Sequence, residues 1–116
     1  MITDLRRSAT PSAEDPLLAE AVRRLVEAYH PDRIYLFGSA ARGDAGADSD
    51  YDIMIVMPDQ VPPAYRSCDL AYGVLRGLRM AKDILVWTQA DFDGRLHLRA
   101  SLPSTVVREG KLLYAA

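Results

Sequence analysis

Two short apolar runs that lie close together in the chain constrain the fold more than any other feature. The first covers residues 34–37 (Ile-Tyr-Leu-Phe) and the second residues 51–57 (Tyr-Asp-Ile-Met-Ile-Val-Met). Compact runs rich in aromatic and branched side chains are typical of strands buried in a sheet. The segment between them is too short for a full helical crossover, so we expect the two strands to be antiparallel.

A helix is predicted before the first strand. Asp15 is a favourable N-cap, and Pro16 suits the first helical position. His30 precedes Pro31, and a residue before proline is disfavoured in the helical region, so we expect the helix to end there. The apolar residues between these signals recur at helical spacing: Leu18, Val22, Leu25, Val26 and Tyr29.

The second half of the chain alternates helical and strand patterns. Residues 65–80 have an apolar stripe that predicts a helix, and residues 83–87 predict a third strand. Thr88 and Asp91 have the spacing of a capping box, which favours a further helix. The remaining elements are expected to be a short helix between Pro103 and Gly110 and a last strand at residues 111–114. This order predicts an α/β or α+β fold with a small mixed sheet flanked by helices.

Composition limits the class of protein. The chain has 116 residues, of which 49% are hydrophobic, and a net charge of -2. This fits a single globular domain, which we assign to residues 13–116 after a flexible lead-in at residues 1–12. The acidic balance argues against direct nucleic-acid binding, and we expect no membrane span and a cytoplasmic location. Cys68 is the only cysteine, so an internal disulfide or a cysteine-rich zinc site is excluded.

The segment that follows the first predicted strand is small and polar. It begins Gly38-Ser39-Ala40-Ala41-Arg42-Gly43-Asp44-Ala45. Gly38 lets the backbone approach a ligand closely, and Ser39 can cap a turn whose free amides form a phosphate site. Arg42 is either a triphosphate contact or an ordinary loop arginine.

Three carboxylates accompany the apolar strands. Asp50 and Asp52 are two residues apart at the start of the second strand, so they lie on one face and Tyr51 on the other. Asp83 opens the third strand and joins them if the two strands are neighbours. Clustered carboxylates repel one another, and Mg²⁺, which prefers oxygen ligands, removes that conflict. A calcium-binding EF-hand loop and a P-loop are both excluded, because their required glycine, glutamate and lysine positions are not filled.

Several other polar and aromatic residues have less specific roles. Tyr35 and Trp87 alternate with apolar residues, and we expect them to pack in the core rather than to stack on a base. Arg66, Arg76 and Arg79 are expected to form a solvated helix face, with protein binding as the alternative.

The combined pattern resembles the DNA polymerase β nucleotidyltransferase superfamily, and in particular its MNT-type (minimal nucleotidyltransferase) members. Their pattern is Gly-Ser, ten residues, Asp-x-Asp and a distant third aspartate on a strand. Gly38-Ser39, residues 40–49 and Asp50-Tyr51-Asp52 match it without a gap, and Asp83 fits the third position. The resemblance implies a polymerase β-like core in which Asp50, Asp52 and Asp83 are catalytic, with two Mg²⁺ ions and ATP as co-substrate.

The resemblance also implies an acceptor. MNT-type proteins commonly pair with a HEPN-domain RNase toxin and act as its antitoxin by transferring AMP onto a tyrosine, so we expect a hetero-oligomer. One alternative is transfer of a nucleotide to a small molecule such as an aminoglycoside. A second is a non-catalytic antitoxin that only covers its partner.

Overall fold

The computed structural model describes residues 15–42 and 50–116. The predicted lead-in and domain start, and the polar segment at residues 43–49, lie outside the described residues. The elements follow in chain order: α1 (Pro16–Tyr29), β1 (Arg33–Phe37), α2 (Gly38–Arg42), β2 (Tyr51–Met57), a 3-10 helix (Pro63–Arg66), α3 (Asp69–Val74), β3 (Lys82–Thr88), α4 (Gln89–Asp93), α5 (Leu102–Glu109) and β4 (Lys111–Ala115).

In the described part of the chain, four strands form one mixed sheet in the order β3-β2-β1-β4. Strand β1 is antiparallel to both β2 and β4, whereas β2 and β3 are parallel. The predicted antiparallel pair and mixed sheet are therefore confirmed. The parallel pair is possible because the 3-10 helix and α3 carry the chain from the end of β2 back to the start of β3.

Apolar clusters cover both faces of the sheet. Strand β2 contributes alternate residues to each, and every residue from Ile53 to Met57 is buried. The larger cluster joins the sheet to α1 and α3; its buried members include Leu18, Leu25, Tyr29, Ile34, Ile53, Ile55, Met57 and Leu75. The smaller cluster joins it to α4 and α5 and contains Met54, Val56, Phe92 and Val106. Tyr35 and Trp87 both pack against this smaller cluster, as their alternation predicts.

The helix boundaries follow from local capping. Asp15 caps α1, since its carboxylate accepts a hydrogen bond from the Leu18 amide at 3.1 Å. His30 ends the helix in a left-handed conformation (φ 50°), and its N–H donates to the Val26 carbonyl. Thr88 caps α4 by accepting from the Asp91 amide at 3.3 Å, which confirms the predicted helix start.

A single helix over residues 65–80 is wrong. The chain forms a 3-10 turn at Pro63–Arg66 and a regular helix only at Asp69–Val74. Gly73 is a poor helix former, and Gly77 has a φ of +93°, outside the helical region. The apolar stripe still points inward, because Ala71 and Leu75 are fully buried. Arg66, Arg76 and Arg79 are exposed, as expected.

Within the part of the chain that the structure describes, no helix is both long and apolar enough to cross a bilayer.

Candidate active site

The strand register places two of the three predicted carboxylates side by side. Asp52 and Asp83 are paired positions on the neighbouring parallel strands β2 and β3. Paired residues of adjacent strands project to the same face of a sheet, so both carboxylates belong to the face that also carries α4 and α5. Asp50 lies two residues before Asp52, and the strand period predicts the same face for it. Asp50 and Asp83 are exposed and Asp52 is partly buried.

Gly38 brings the backbone directly against the Asp52 side chain. Asp52 is paired with Phe37 on β1, so the residue after Phe37 begins α2 beside the Asp52 carboxylate. Gly38 has a φ of +75°, and a Cβ added there would collide with the Asp52 side chain. Glycine therefore favours the left-handed backbone, and a side chain at this position would force the Asp52 carboxylate to shift. The start of α2 and the Asp52 carboxylate therefore form one local structure.

The convergence of all three carboxylates on a metal ion stays a prediction. Among the residues that the structure describes, no group of three or more acidic, histidine or cysteine side chains is arranged to hold a metal ion. The oxygen donors nevertheless fit Mg²⁺ in kind, and Asp52 and Asp83 lie at paired positions. The side chains of Ser39 and Arg42 are outside the described part of the chain, so their predicted phosphate contacts also stay predictions.

The start of β2 is anchored by a hydrogen bond that the sequence did not predict. It is made by Tyr51, which lies between Asp50 and Asp52 in the chain. The Tyr51 hydroxyl donates to Asp15 Oδ2 at 2.7 Å, while Asp15 Oδ1 caps α1. This hydrogen bond to Asp15 raises the pKa of Tyr51 above its ordinary value. Alternation places Tyr51 on the face opposite Asp50 and Asp52, but only the tertiary structure places the end of α1 within reach of it. The start of β2 is thus tied to α1 from the side opposite the candidate site.

The face beyond the carboxylates is open along β3. Leu85 follows Asp83 on the same face and is 37% exposed, in contrast to the buried strand β2. Trp87 comes next on that face and packs beside Arg95, whose guanidinium carbon lies 5.5 Å from the centre of the indole ring. The candidate site therefore opens onto a surface that follows the edge strand.

Comparison with known families shows which family the chain belongs to. The family model described as "Nucleotidyltransferase domain" matches residues 17–110, which include Gly38 and all three aspartates. The chain belongs to the nucleotidyltransferase domain family. The predicted enzyme class and fold class are confirmed by this match and by the four-stranded mixed sheet.

Solved structures similar to this nucleotidyltransferase fall into two groups. A putative nucleotidyltransferase from Sulfolobus solfataricus is 23% identical with a TM-score of 0.58, covering 86% of this chain and 78% of that one, which supports the fold alone. A toxin–antitoxin complex with AMP-PNP is 26% identical with a TM-score of 0.56, covering 84% and 73%. A variant of the toxin–antitoxin MntA–HpeT with a tyrosine-to-alanine substitution is also 26% identical, with a TM-score of 0.54 and coverage of 84% and 72%. No curated protein sequence matches significantly.

The MNT-type resemblance of the nucleotidyltransferase agrees with these neighbours. The two structures at 26% identity are both toxin–antitoxin complexes, and one contains an ATP analogue. The resemblance was carried by the Gly38-Ser39 and Asp50-Tyr51-Asp52 motifs, and the structure places Gly38 and Asp52 in contact range of each other.

Proposed function

We propose that this nucleotidyltransferase transfers AMP from ATP to a hydroxyl of a protein partner, in a reaction that requires Mg²⁺. The observation that carries the proposal is the pairing of Asp52 with Asp83 beside the left-handed Gly38. In a chain of this family, that pairing supplies carboxylates next to a backbone turn suited to phosphates. A toxin–antitoxin neighbour that contains AMP-PNP supports an adenine nucleotide as donor.

The residues of the candidate site have two roles in the proposal, metal binding and phosphate binding. Asp50, Asp52 and Asp83 would hold Mg²⁺, which when bound neutralises the triphosphate and favours the ionised acceptor oxygen. The backbone at Gly38 and Ser39 would bind phosphate oxygens, with Arg42 as a further phosphate ligand. The acceptor hydroxyl releases its proton to solvent, and its oxygen attacks the α-phosphorus in line to form a new P–O bond. The bond between the α-phosphorus and the oxygen that bridges to the β-phosphate breaks, and pyrophosphate leaves with that oxygen.

The proposed acceptor is a tyrosine of a HEPN-type toxin. The sequence resemblance implies this partner, and the two toxin–antitoxin neighbours support a partner protein of the toxin class. The antitoxin would then act in the cytoplasm as a hetero-oligomer with its toxin. A protein acceptor brings its own docking surface.

The test uses the chain, ATP, Mg²⁺ and the protein encoded beside it. We expect the mass of the neighbour to rise by one or more AMP groups, and this change to disappear with Asp50→Ala or Asp52→Ala. Turnover of an aminoglycoside with no change in the neighbour would transfer the assignment to a small-molecule enzyme. Tight binding without modification by the wild type would indicate a non-catalytic antitoxin.

A further inference from the structure

A cavity of about 390 Å³ lies at the end of β3 remote from Asp83. Its lining comes from the 3-10 helix, from β3 and from α4 with the turn after it: Arg66, Val86, Trp87, Thr88, Asp91 and Arg95. Trp87 lies four positions after Asp83, which corresponds to roughly 13 Å along an extended strand. The cavity is therefore separate from the carboxylate site but lies on the same strand.

The cavity lies against the edge of the sheet rather than over one face. Val86 packs against the larger apolar cluster and Trp87 against the smaller one, so the lining includes residues from both faces. Strand β3 is the last strand of the sheet, and no strand among residues 15–42 and 50–116 pairs with its outer side. An unpaired strand edge presents backbone donors and acceptors to any chain that lies beside it.

The hydrogen bonds of β3 show which backbone groups point outward. The Ala81 carbonyl accepts a hydrogen bond from the Tyr51 amide on β2. Along this strand the backbone N–H and C=O groups of odd-numbered residues therefore point toward β2, and those of even-numbered residues point away from the sheet. The amide of Ile84 points outward and is covered, because it donates to the Tyr72 hydroxyl at 3.0 Å. The next outward position is Val86, which lines the cavity, and among the described residues its amide has no hydrogen bond to a group outside the sheet. At the outer edge of β3, the Ile84 amide is thus already hydrogen-bonded, whereas the Val86 amide is available to a partner.

The side chains around the open position favour a negatively charged group. Arg95 is held over the Trp87 ring and donates to the Asp91 carbonyl at 3.2 Å, while its Nη1 lies 4.0 Å from the Asp91 carboxylate. The exposed Arg66 forms no ion pair with any part of the chain that the structure describes. Among the side chains that line the cavity, two guanidinium groups and one carboxylate give a net positive charge beside the indole ring of Trp87. An anionic side chain on an extended backbone matches this combination.

We infer that the open end of β3 binds a short extended segment of the partner protein, which pairs with the Val86 backbone and places a carboxylate between Arg66 and Arg95. The identity of the occupant rests on the proposed function, whereas its chemistry follows from the cavity. Such a segment would be held on the strand that carries Asp83, so docking and transfer would share one rigid element. Strand addition supplies affinity through backbone hydrogen bonds, and the arginines supply selectivity for acidic segments.

The test compares arginine variants in binding the purified protein encoded beside this one, without ATP. We expect Arg66→Glu to weaken the complex at least about tenfold (~1.4 kcal/mol), because the substitution reverses a charge that faces the segment. Arg95→Glu should act in the same direction. The matched controls Arg76→Glu and Arg79→Glu reverse exposed charges outside the cavity and should stay within about twofold of wild type. Arg66→Glu is the decisive variant, because Arg95 also packs on Trp87 and its substitution could disturb the fold.

Hydrogen exchange supplies the second measurement. Complex formation should slow exchange of the Val86 amide, while the Ile84 amide, already bonded to Tyr72, should change little. Equal affinity of Arg66→Glu and wild type, or unchanged exchange at Val86 in a stable complex, would overturn the inference. If the partner still acquires AMP when the docking inference is overturned, the proposed function stands and only the docking site is wrong. If the wild type binds no such partner at all, the proposed partner is wrong and the inferred occupant with it.

Discussion

The two faces of the sheet are built differently. The face toward α1 and α3 is closed by a large cluster in which Leu25, Ile53 and Leu75 are fully buried. The face toward α4 and α5 has only a small cluster, and it leaves Asp83 and Leu85 exposed along β3. Most of the apolar burial therefore stabilises the face toward α1 and α3 (the closed face), and Asp52 and Asp83 lie on the face toward α4 and α5 (the open face). The difference implies that stability and transfer can be changed separately.

The largest effect on stability should come from the closed face. Leu25 is fully buried, so Leu25→Ala should lower the free energy of unfolding by about 2–5 kcal/mol through lost burial and a residual cavity. Leu85→Ala is the matched control on the open face, since Leu85 is 37% exposed, and it should cost under about 1 kcal/mol. Urea unfolding of both variants measures the contrast. Equal losses would show that the open face contributes as much as the closed one.

The largest effect on transfer should come from the open face. Asp52→Asn keeps the shape of the side chain but removes its charge, so we expect transfer to fall at least about a hundredfold, or ~2.7 kcal/mol in activation free energy. Asp69→Asn is the control, because Asp69 is exposed in the first turn of α3 and belongs to the opposite layer. Transfer of AMP by a folded Asp52→Asn variant at near the wild-type rate would remove Asp52 from the proposed site.

Local sequence signals predicted the elements that depend on local physics. The strands β1 and β2 follow from their apolar runs, and the caps at Asp15 and Thr88 follow from side chains that reach the nearest backbone amides. The length of α3 was not predicted correctly, since the apolar stripe continues past Gly77 although the helix does not. The spacing of apolar residues predicts which residues face inward, but it does not predict the backbone conformation that places them there.

The candidate site was only partly accessible to sequence reasoning. The spacing of Asp50 and Asp52 implied a common face, whereas the pairing of Asp52 with Asp83 depends on the parallel register of β2 and β3. The Tyr51–Asp15 hydrogen bond and the edge cavity near Trp87 join residues that are distant in the chain. Contacts of this kind arise from the topology, so no local pattern in the sequence predicts them.

Alanine substitutions at two glycines can distinguish the effect of backbone strain from the effect of steric crowding. Gly38 and Gly77 both have positive φ values, so alanine at either position should cost about 1–2 kcal/mol of stability. Only at Gly38 would the added Cβ collide with the Asp52 carboxylate, whereas at Gly77 it would meet open space. We therefore expect Gly38→Ala to reduce transfer by about tenfold or more and Gly77→Ala to leave it nearly unchanged. Parallel loss of transfer in both variants would mean that strain alone, and not displacement of Asp52, controls the site.

The smallest effect concerns a polar contact within the closed face. The Tyr29 hydroxyl donates to the Ser67 carbonyl at 2.6 Å and accepts from the Ala71 amide at 2.9 Å. Tyr29→Phe leaves both partners without this hydroxyl, so we expect a loss of about 1–2 kcal/mol of stability. Tyr65→Phe is the control, because Tyr65 packs against the Tyr29 ring but is 37% exposed.

The same hydroxyl gives the closed face a dependence on alkaline pH. Burial raises the pKa of Tyr29 from its ordinary value of 10.0 to about 12. Because the folded pKa is the higher one, the contribution of Tyr29 to stability is fully present below pH 10 and is lost as pH rises through 12. Wild type should therefore lose stability more steeply than Tyr29→Phe across this window, as urea unfolding at successive pH values would show. An identical decline in the two proteins would mean that the Tyr29 hydroxyl ionises as readily in the folded chain as in the unfolded one, and that the larger cluster does not shield it from water.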